Sequence, residues 1–186
     1  MTTFYLIRHG KPDYSPCDER GYSGFGRDLA SLTKDGIEQA ELSSRDERLK
    51  DAEIIISSPY TRALQTAAII SKNTGIEIKV EMDLHEWIPD LTYKYTSSEE
   101  AFELAKEFTK YRGVYPQNTN MNWESLESLR KRVINVVNKY TNYNKVIIVS
   151  HGMALRTITF IEEMKPAEII ECTYKIGQPE CEYSFA

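Results

Sequence analysis

The sequence lacks the features that mark out several whole classes of protein. Among its 186 residues are three cysteines, Cys17, Cys172 and Cys181. An odd number with no Cys-x-x-Cys pair excludes a disulfide framework and a cysteine-built zinc site, leaving them as small side chains. None begins the Cys-x5-Arg spacing of a phosphate-cradling cysteine loop. No apolar run approaches the ~20 residues of a membrane span. Basic residues are in deficit, 23 Lys and Arg against 28 Asp and Glu, and are interleaved with the acids, so nucleic acid is not the expected partner. Strand-like sequence begins within a few residues of Met1, leaving no room for a signal peptide, and the expected compartment is the cytoplasm. Histidine is scarce too: His9, His85 and His151 are all there is.

What is present is concentrated around those histidines. Phe4-Tyr5-Leu6-Ile7 reads as a buried strand that runs directly into Arg8-His9-Gly10. Val146-Ile147-Ile148-Val149 does the same, delivering Ser150-His151-Gly152. A lone histidine at a strand end is more often structural than catalytic. Two in the same setting, one beside an arginine, point to a shared site, because ligands of open α/β sheets bind beyond the carboxyl ends of the strands. Gly10 permits a sharp turn and close approach to a ligand.

The rest of the chain alternates strand and helix. Lys11 to Asp28 is aperiodic and reads as a loop. Thr33 can cap a helix reaching about Leu49, with Ile37 and Ala40 inward. Asp51 to Ser57 is a second buried strand. Ser58 as cap and Pro59 at the first helical position open the next helix, which puts Arg62 in its first turn, where amides and dipole favour an anion. Ile76 to Val80 is a third strand. Residues 87–123 carry no strand signal and read as an insertion lidding the pocket, with a helix from Ser98 to Tyr111. Glu124 to Tyr143 is a strongly amphipathic helix, and another is expected from about Met153 to Glu163. Cys172 to Ile176 and Glu182 to Phe185 suit two final strands at a sheet edge, where the last could pair across a two-fold axis into a homodimer. The length suits one domain over 1–186. The fold class is α/β, a mainly parallel central sheet with helices on both faces, and every loaded motif lies on one rim.

That rim suits phosphoryl chemistry. Arg8 and Arg62 offer planar forks for a phosphate. A neutral imidazole can attack phosphorus, and a second, protonated histidine can hold the equatorial oxygens. Glu86, among Leu84, Trp87 and Ile88, is the candidate acid for the departing alcohol, since burial raises a carboxyl's affinity for a proton. His85 is its rival, but neighbours on extended backbone point oppositely and only one can face the phosphate.

Taken together, Leu6-Ile7-Arg8-His9-Gly10, Thr33-x-x-Gly36-x-x-Gln39-Ala40, Ser57-Ser58-Pro59-x-x-Arg62-Ala63-x-Gln65-Thr66-Ala67, Leu84-x-Glu86 and Ser150-His151-Gly152 resemble the histidine phosphatase superfamily, over roughly residues 4 to 165. The resemblance is to the phosphatase branch that shares motifs with cofactor-dependent phosphoglycerate mutases. It implies a three-layer α/β/α sandwich and His9 as the phosphorylated nucleophile. Arg8, Arg62 and His151 would complete the phosphate pocket, with Glu86 as proton donor and then base. It implies neither a metal nor an organic cofactor, and a small phosphorylated metabolite as substrate.

The chain also departs from the family pattern. Lys11 and Pro12 stand where many relatives have Glu or Gln and then Thr or Ser. Ser15 occupies the place of a phosphate-contacting Asn, and Gly152 follows the second histidine, so both are candidate binding positions. Trp87-Ile88-Pro89-Asp90-Leu91 replaces the usual Gly and Trp-Glu-Gly. A phosphomonoesterase is the leading expectation. A phosphoglycerate mutase-like phosphotransferase and a non-catalytic phospholigand-binding module are the alternatives.

Overall fold

The computed structural model describes all 186 residues. In chain order its elements are β1 (Thr2–Arg8), β2 (Pro12–Asp13), α1 (Ser15–Glu19), β3 (Ser31–Leu32), α2 (Lys34–Ser43), β4 (Ile54–Ser57), α3 (Thr61–Thr74), β5 (Ile78–Val80), α4 (Ser98–Lys110), α5 (Leu126–Lys139), β6 (Lys145–Ser150), α6 (Gly152–Leu155) and β7 (Ile169–Tyr174). Five strands form one sheet in the order β5-β4-β6-β1-β7, while β2 and β3 make a separate two-stranded ribbon. β5, β4, β6 and β1 are parallel, and β7 closes one edge antiparallel to β1.

The two-residue period of the strands sorts their side chains into two cores. Phe4, Leu6, Ile56, Val146 and Ile148 face the layer containing Leu129, Val133, Val136 and Val137 of α5. Tyr5, Ile7, Ile55, Ile147 and Val149 face Ala63, Ala67 and Ile70 of α3. The central strands are buried on both sides, which explains their unbroken apolar runs. The α/β/α sandwich expected from the alternation is the architecture observed.

Several boundaries differ from the expectations, each for a local reason. α3 starts at Thr61 with Tyr60 as its cap residue, and the Ser58 hydroxyl bonds the Tyr60 amide and His151 rather than the amides of the helix. α2 stops at Ser43, and a separate 3-10 turn over Glu47–Leu49 is capped by Asp46. Its buried face is Gly36 and Ala40, while Ile37 is 37% exposed. The helix expected from Met153 onward is only Gly152–Leu155. The β-branched run Thr157-Ile158-Thr159 disfavours continuation, and the Thr157 hydroxyl bonds back to the Ala154 carbonyl. One terminal strand forms rather than two. Residues 182–185 are irregular, with Tyr183 and Phe185 packed against Phe108. The stretch expected as a loop at 11–28 contains β2, α1 and the start of a 3-10 turn over Gly24–Leu29.

Candidate active site

The sheet's hydrogen bonding runs one residue past the strands and so fixes the groups beyond their ends. The His9 amide donates to the Ser150 carbonyl (3.0 Å) and the Ser58 amide to the Val149 carbonyl (2.9 Å). Arg8 and His9 leave β1, Ser58 leaves β4 and His151 leaves β6, all at one rim.

His9 is 5% exposed. Its Nδ1 lies 2.7 Å from the carbonyl oxygen of Gly10, which can only accept, so Nδ1 carries the proton and Nε2 presents a lone pair. Arg62 Nε–H points at that Nε2 from 3.3 Å. Burial, reinforced by the Arg62 charge, lowers the His9 pKa to about 3. The imidazole is therefore neutral and nucleophilic across the physiological range. Arg62 also donates through Nη1 to Asp28 Oδ1 (3.1 Å) and lies between the rings of Tyr14 and Tyr60, 5.9 and 5.0 Å from their centroids. Arg8 donates through Nη1 to the Met164 carbonyl, while its buried Nε has no partner in the protein.

The His151 ring is fully buried, 5.0 Å from the His9 ring. Its Nε2 is 2.7 Å from Ser58 Oγ, and its Nδ1 has no protein partner. Burial and then Arg62 lower its pKa well below the ordinary value. That direction belongs to the unliganded ring; the protonated His151 expected from the sequence is one that faces phosphoryl oxygens. Ser58 Oγ accepts from the Tyr60 amide (3.3 Å) and has both a proton and a second lone pair for His151 Nε2; we take the tautomer in which the hydroxyl donates. That arrangement leaves Nδ1–H as an unpaired donor.

Glu86 joins this group from another direction. Its carboxylate accepts from the amides of Met153 (3.3 Å) and Ala154 (3.1 Å) in the turn that follows His151, and from the Trp87 amide (2.8 Å). His85 does not line the cavity: its Nδ1 is on the Glu86 carbonyl and its ring lies behind Tyr60, 6.0 Å between centroids. The segment is held by Arg132 of α5, whose guanidinium donates to the carbonyls of Asp83, His85 and Glu86 and to both oxygens of Glu124.

Arg8, Arg62 and Glu86 lie at the inner end of a cavity of about 440 Å³. Its wall is formed largely by two segments, residues 25–28 and 93–105. Ser15 is not part of it: it sits exposed at the first position of α1, its amide on Asp13, and the neighbouring Tyr14 lines the cavity instead. Gly152 flanks the pocket through Arg8, whose Nε would lie 3.9 Å from an added Cβ. Lys11 is exposed and paired with Asp35 at 3.4 Å. The close approach made by Gly10 is to a helix rather than a ligand, since a Cβ there would collide with the Gly36 carbonyl of α2. Sequence reasoning missed Tyr14, Arg27, Asp28 and Ser58. Only Ser58 had a signal, two consecutive serines before a proline where one suffices for a cap. Of the aromatic residues in 87–123, Phe108, Tyr111, Tyr115 and Trp123 pack into or against the core, Tyr93, Tyr95 and Phe102 line the cavity, and Trp87 does both. No group of three or more His, Cys, Asp or Glu side chains is placed to hold a metal ion.

Residues 4–174 match the histidine phosphatase superfamily (branch 1), and the chain belongs to that family. It is 32% identical over 161 residues to a Hydrogenobacter thermophilus protein provisionally named phosphoserine phosphatase 2, covering 85% of this chain and 77% of that one. It is 33% identical over 166 residues to the uncharacterized phosphatase PhoE of Bacillus subtilis, covering 85% and 76%. In fold it is similar to the solved structure of the open reading frame Rv3214 of Mycobacterium tuberculosis, with a TM-score of 0.61, 22% identity, and 98% and 97% of the two chains covered. The chain is thus an enzyme of the phosphatase or mutase type.

Proposed function

We propose that the protein hydrolyses phosphate monoesters of small metabolites through a phosphohistidine on His9. The observation that carries this reading is the orientation of the His9 ring. The Gly10 carbonyl holds the proton on Nδ1, and the Nε2 lone pair lies beside Arg62, with the unpartnered Arg8 Nε on the same rim. In the first half-reaction Nε2 attacks phosphorus and the ester P–O bond breaks. Arg8, Arg62 and the Nδ1–H of His151 take up charge on the phosphoryl oxygens, and Glu86 gives its proton to the departing alkoxide. In the second, Glu86 removes a proton from water, the water oxygen bonds to phosphorus, and the P–N bond breaks to release phosphate. A dianion beside His151 reverses the sign of that ring's surroundings, so bound phosphate favours the His151 imidazolium that the unliganded site disfavours, while His9 Nε2 keeps its lone pair for phosphorus.

The proposal is checked by quenching the enzyme rapidly with substrate. An acid-labile phosphoenzyme is expected in the wild type and none in His9→Ala. Glu86→Gln should lower turnover of alkyl phosphates by about 10²–10⁴-fold and of aryl phosphates, whose leaving groups need less protonation, much less. Equal losses on both would remove Glu86 from the acid role.

A further inference from the structure

The outer cavity holds an unusual combination of rings and charges. Seven aromatic side chains line it: Tyr14, Phe25, Tyr60, Trp87, Tyr93, Tyr95 and Phe102. They do not form a core of their own, since Phe25 is 51% and Phe102 61% exposed. Phe25 and Tyr93 lie nearly parallel, with centroids 4.1 Å apart and planes at 25°, and present a flat surface to one side of the space. The two wall segments are joined along a seam. The Gly24 amide donates to the Tyr95 carbonyl (2.9 Å), and Gly24, at φ 50°, packs so closely on Tyr93 that any Cβ would strike its carbonyl. The rings therefore stand on a fixed wall.

The charges sort differently. Of the three arginines lining the cavity, Arg8 and Arg62 belong to the phosphate end. The third, Arg27, has a side chain only 3% exposed. Its guanidinium is taken up by Asp18 Oδ1 (2.7 Å), the Thr96 carbonyl (2.8 Å) and Ser98 Oγ (3.1 Å). It works as a strut between the two segments, with its charge paired with Asp18 and three of its five N–H groups engaged within the protein. The other ionisable groups facing the space are the acids Asp28 and Glu86 and the phenols of its tyrosines. A second carboxylate or phosphate on the substrate would find two carboxylates and, in Arg27, a cation whose charge is already paired with Asp18.

We infer that this cavity selects phosphate esters of uncharged alcohols carrying a flat ring, and discriminates against esters with a second anionic group. The inference rests on the hydrolytic reading above and names the substrate class for the same site. Asp28, whose Oδ1 already holds Arg62, fits a hydroxyl or N–H of the leaving group as an acceptor. A neutral ring gains by stacking on the aromatic wall.

The test compares benzyl phosphate, glycerol 1-phosphate and 3-phosphoglycerate, all of which leave as alkoxides. The expected order of kcat/KM is benzyl phosphate, then glycerol 1-phosphate, then 3-phosphoglycerate, each step about tenfold, the worth of one stacking contact or one uncompensated charge near a protein surface. Phe25→Ala, at a half-exposed position where folding is little affected, should shrink the first ratio about tenfold. Asp28→Asn should shrink the second by a similar factor, read as a ratio so that any general loss from Arg62 cancels. Phosphate release with a flat order, or with 3-phosphoglycerate preferred, overturns this inference and leaves the hydrolase standing. Absence of both phosphate release and phosphoenzyme with all three overturns the hydrolase itself.

Discussion

His9 is neutral because protein surrounds it and the nearest charges are positive, and the same fact makes the fold sensitive to acid. Its pKa is lowered to about 3, from an unfolded value near 6.5, so below pH 6.5 the unfolded chain binds a proton that the folded one refuses. Stability attributable to the ring is whole above pH 6.5 and is lost as the pH falls towards 3, at up to about 1.4 kcal/mol per pH unit. His151 and His85 are shifted in the same direction, also chiefly by burial, and add to the slope. Thermal unfolding followed from pH 7.5 to 5 should show a falling Tm, with a shallower fall in His9→Asn. An unchanged slope would mean that the ring is protonated in the native state. At this scale the sequence was half legible. Arg8, His9, Arg62, Glu86 and His151 carry functional groups at the ends of recognisable strands and helices. Tyr14 and Asp28 come from a stretch without period, and nothing local signals that a loop residue folds back over a distant strand end.

Helix α5 shows how an element can act on a site it never enters. Its Arg132 reaches three carbonyls in residues 83–86 and the Glu124 carboxylate, and so fixes the segment that carries Glu86. The two side chains are 12% and 4% exposed. Arg132→Met strands a buried carboxylate and should lower unfolding free energy by about 3–5 kcal/mol in urea titration, with the Glu124→Leu, Arg132→Met pair recovering much of the loss. In both variants kcat should fall more than KM rises, because a general acid displaced by even ~1 Å loses much of its effect. Helices with strong apolar stripes, such as α5, were readable from the sequence. The ends of α2 and α6 were not, because side-chain bonds to the backbone, from Ser44 to the Glu41 carbonyl and from Thr157 to the Ala154 carbonyl, accompany the stops of those helices.

At the scale of the whole molecule, phosphate bound as proposed would couple to folding. The Arg8 Nε and His151 Nδ1 without protein partners come from different strands of one sheet, so an anion that satisfies both draws β1 and β6 together at the rim. Inorganic phosphate at about 100 times its dissociation constant should stabilise the fold by roughly 2.7 kcal/mol. A Tm that rises with phosphate in the wild type and far less in Arg8→Ala, measured by scanning calorimetry, checks this. The layered sheet was evident from alternating strand and helix signals. The antiparallel β7 was not, since strand direction at a sheet edge leaves no mark on composition.

The seam at Gly24 has an evolutionary side. The phosphorus-facing groups hang from the sheet, while the wall around the leaving group is assembled from two surface stretches that meet through one hydrogen bond, one strut and a glycine. Drift in those stretches can change an enzyme's diet without disturbing its chemistry, provided the two change together. A descendant with new tastes would therefore betray itself first by paired replacements on either side of that join.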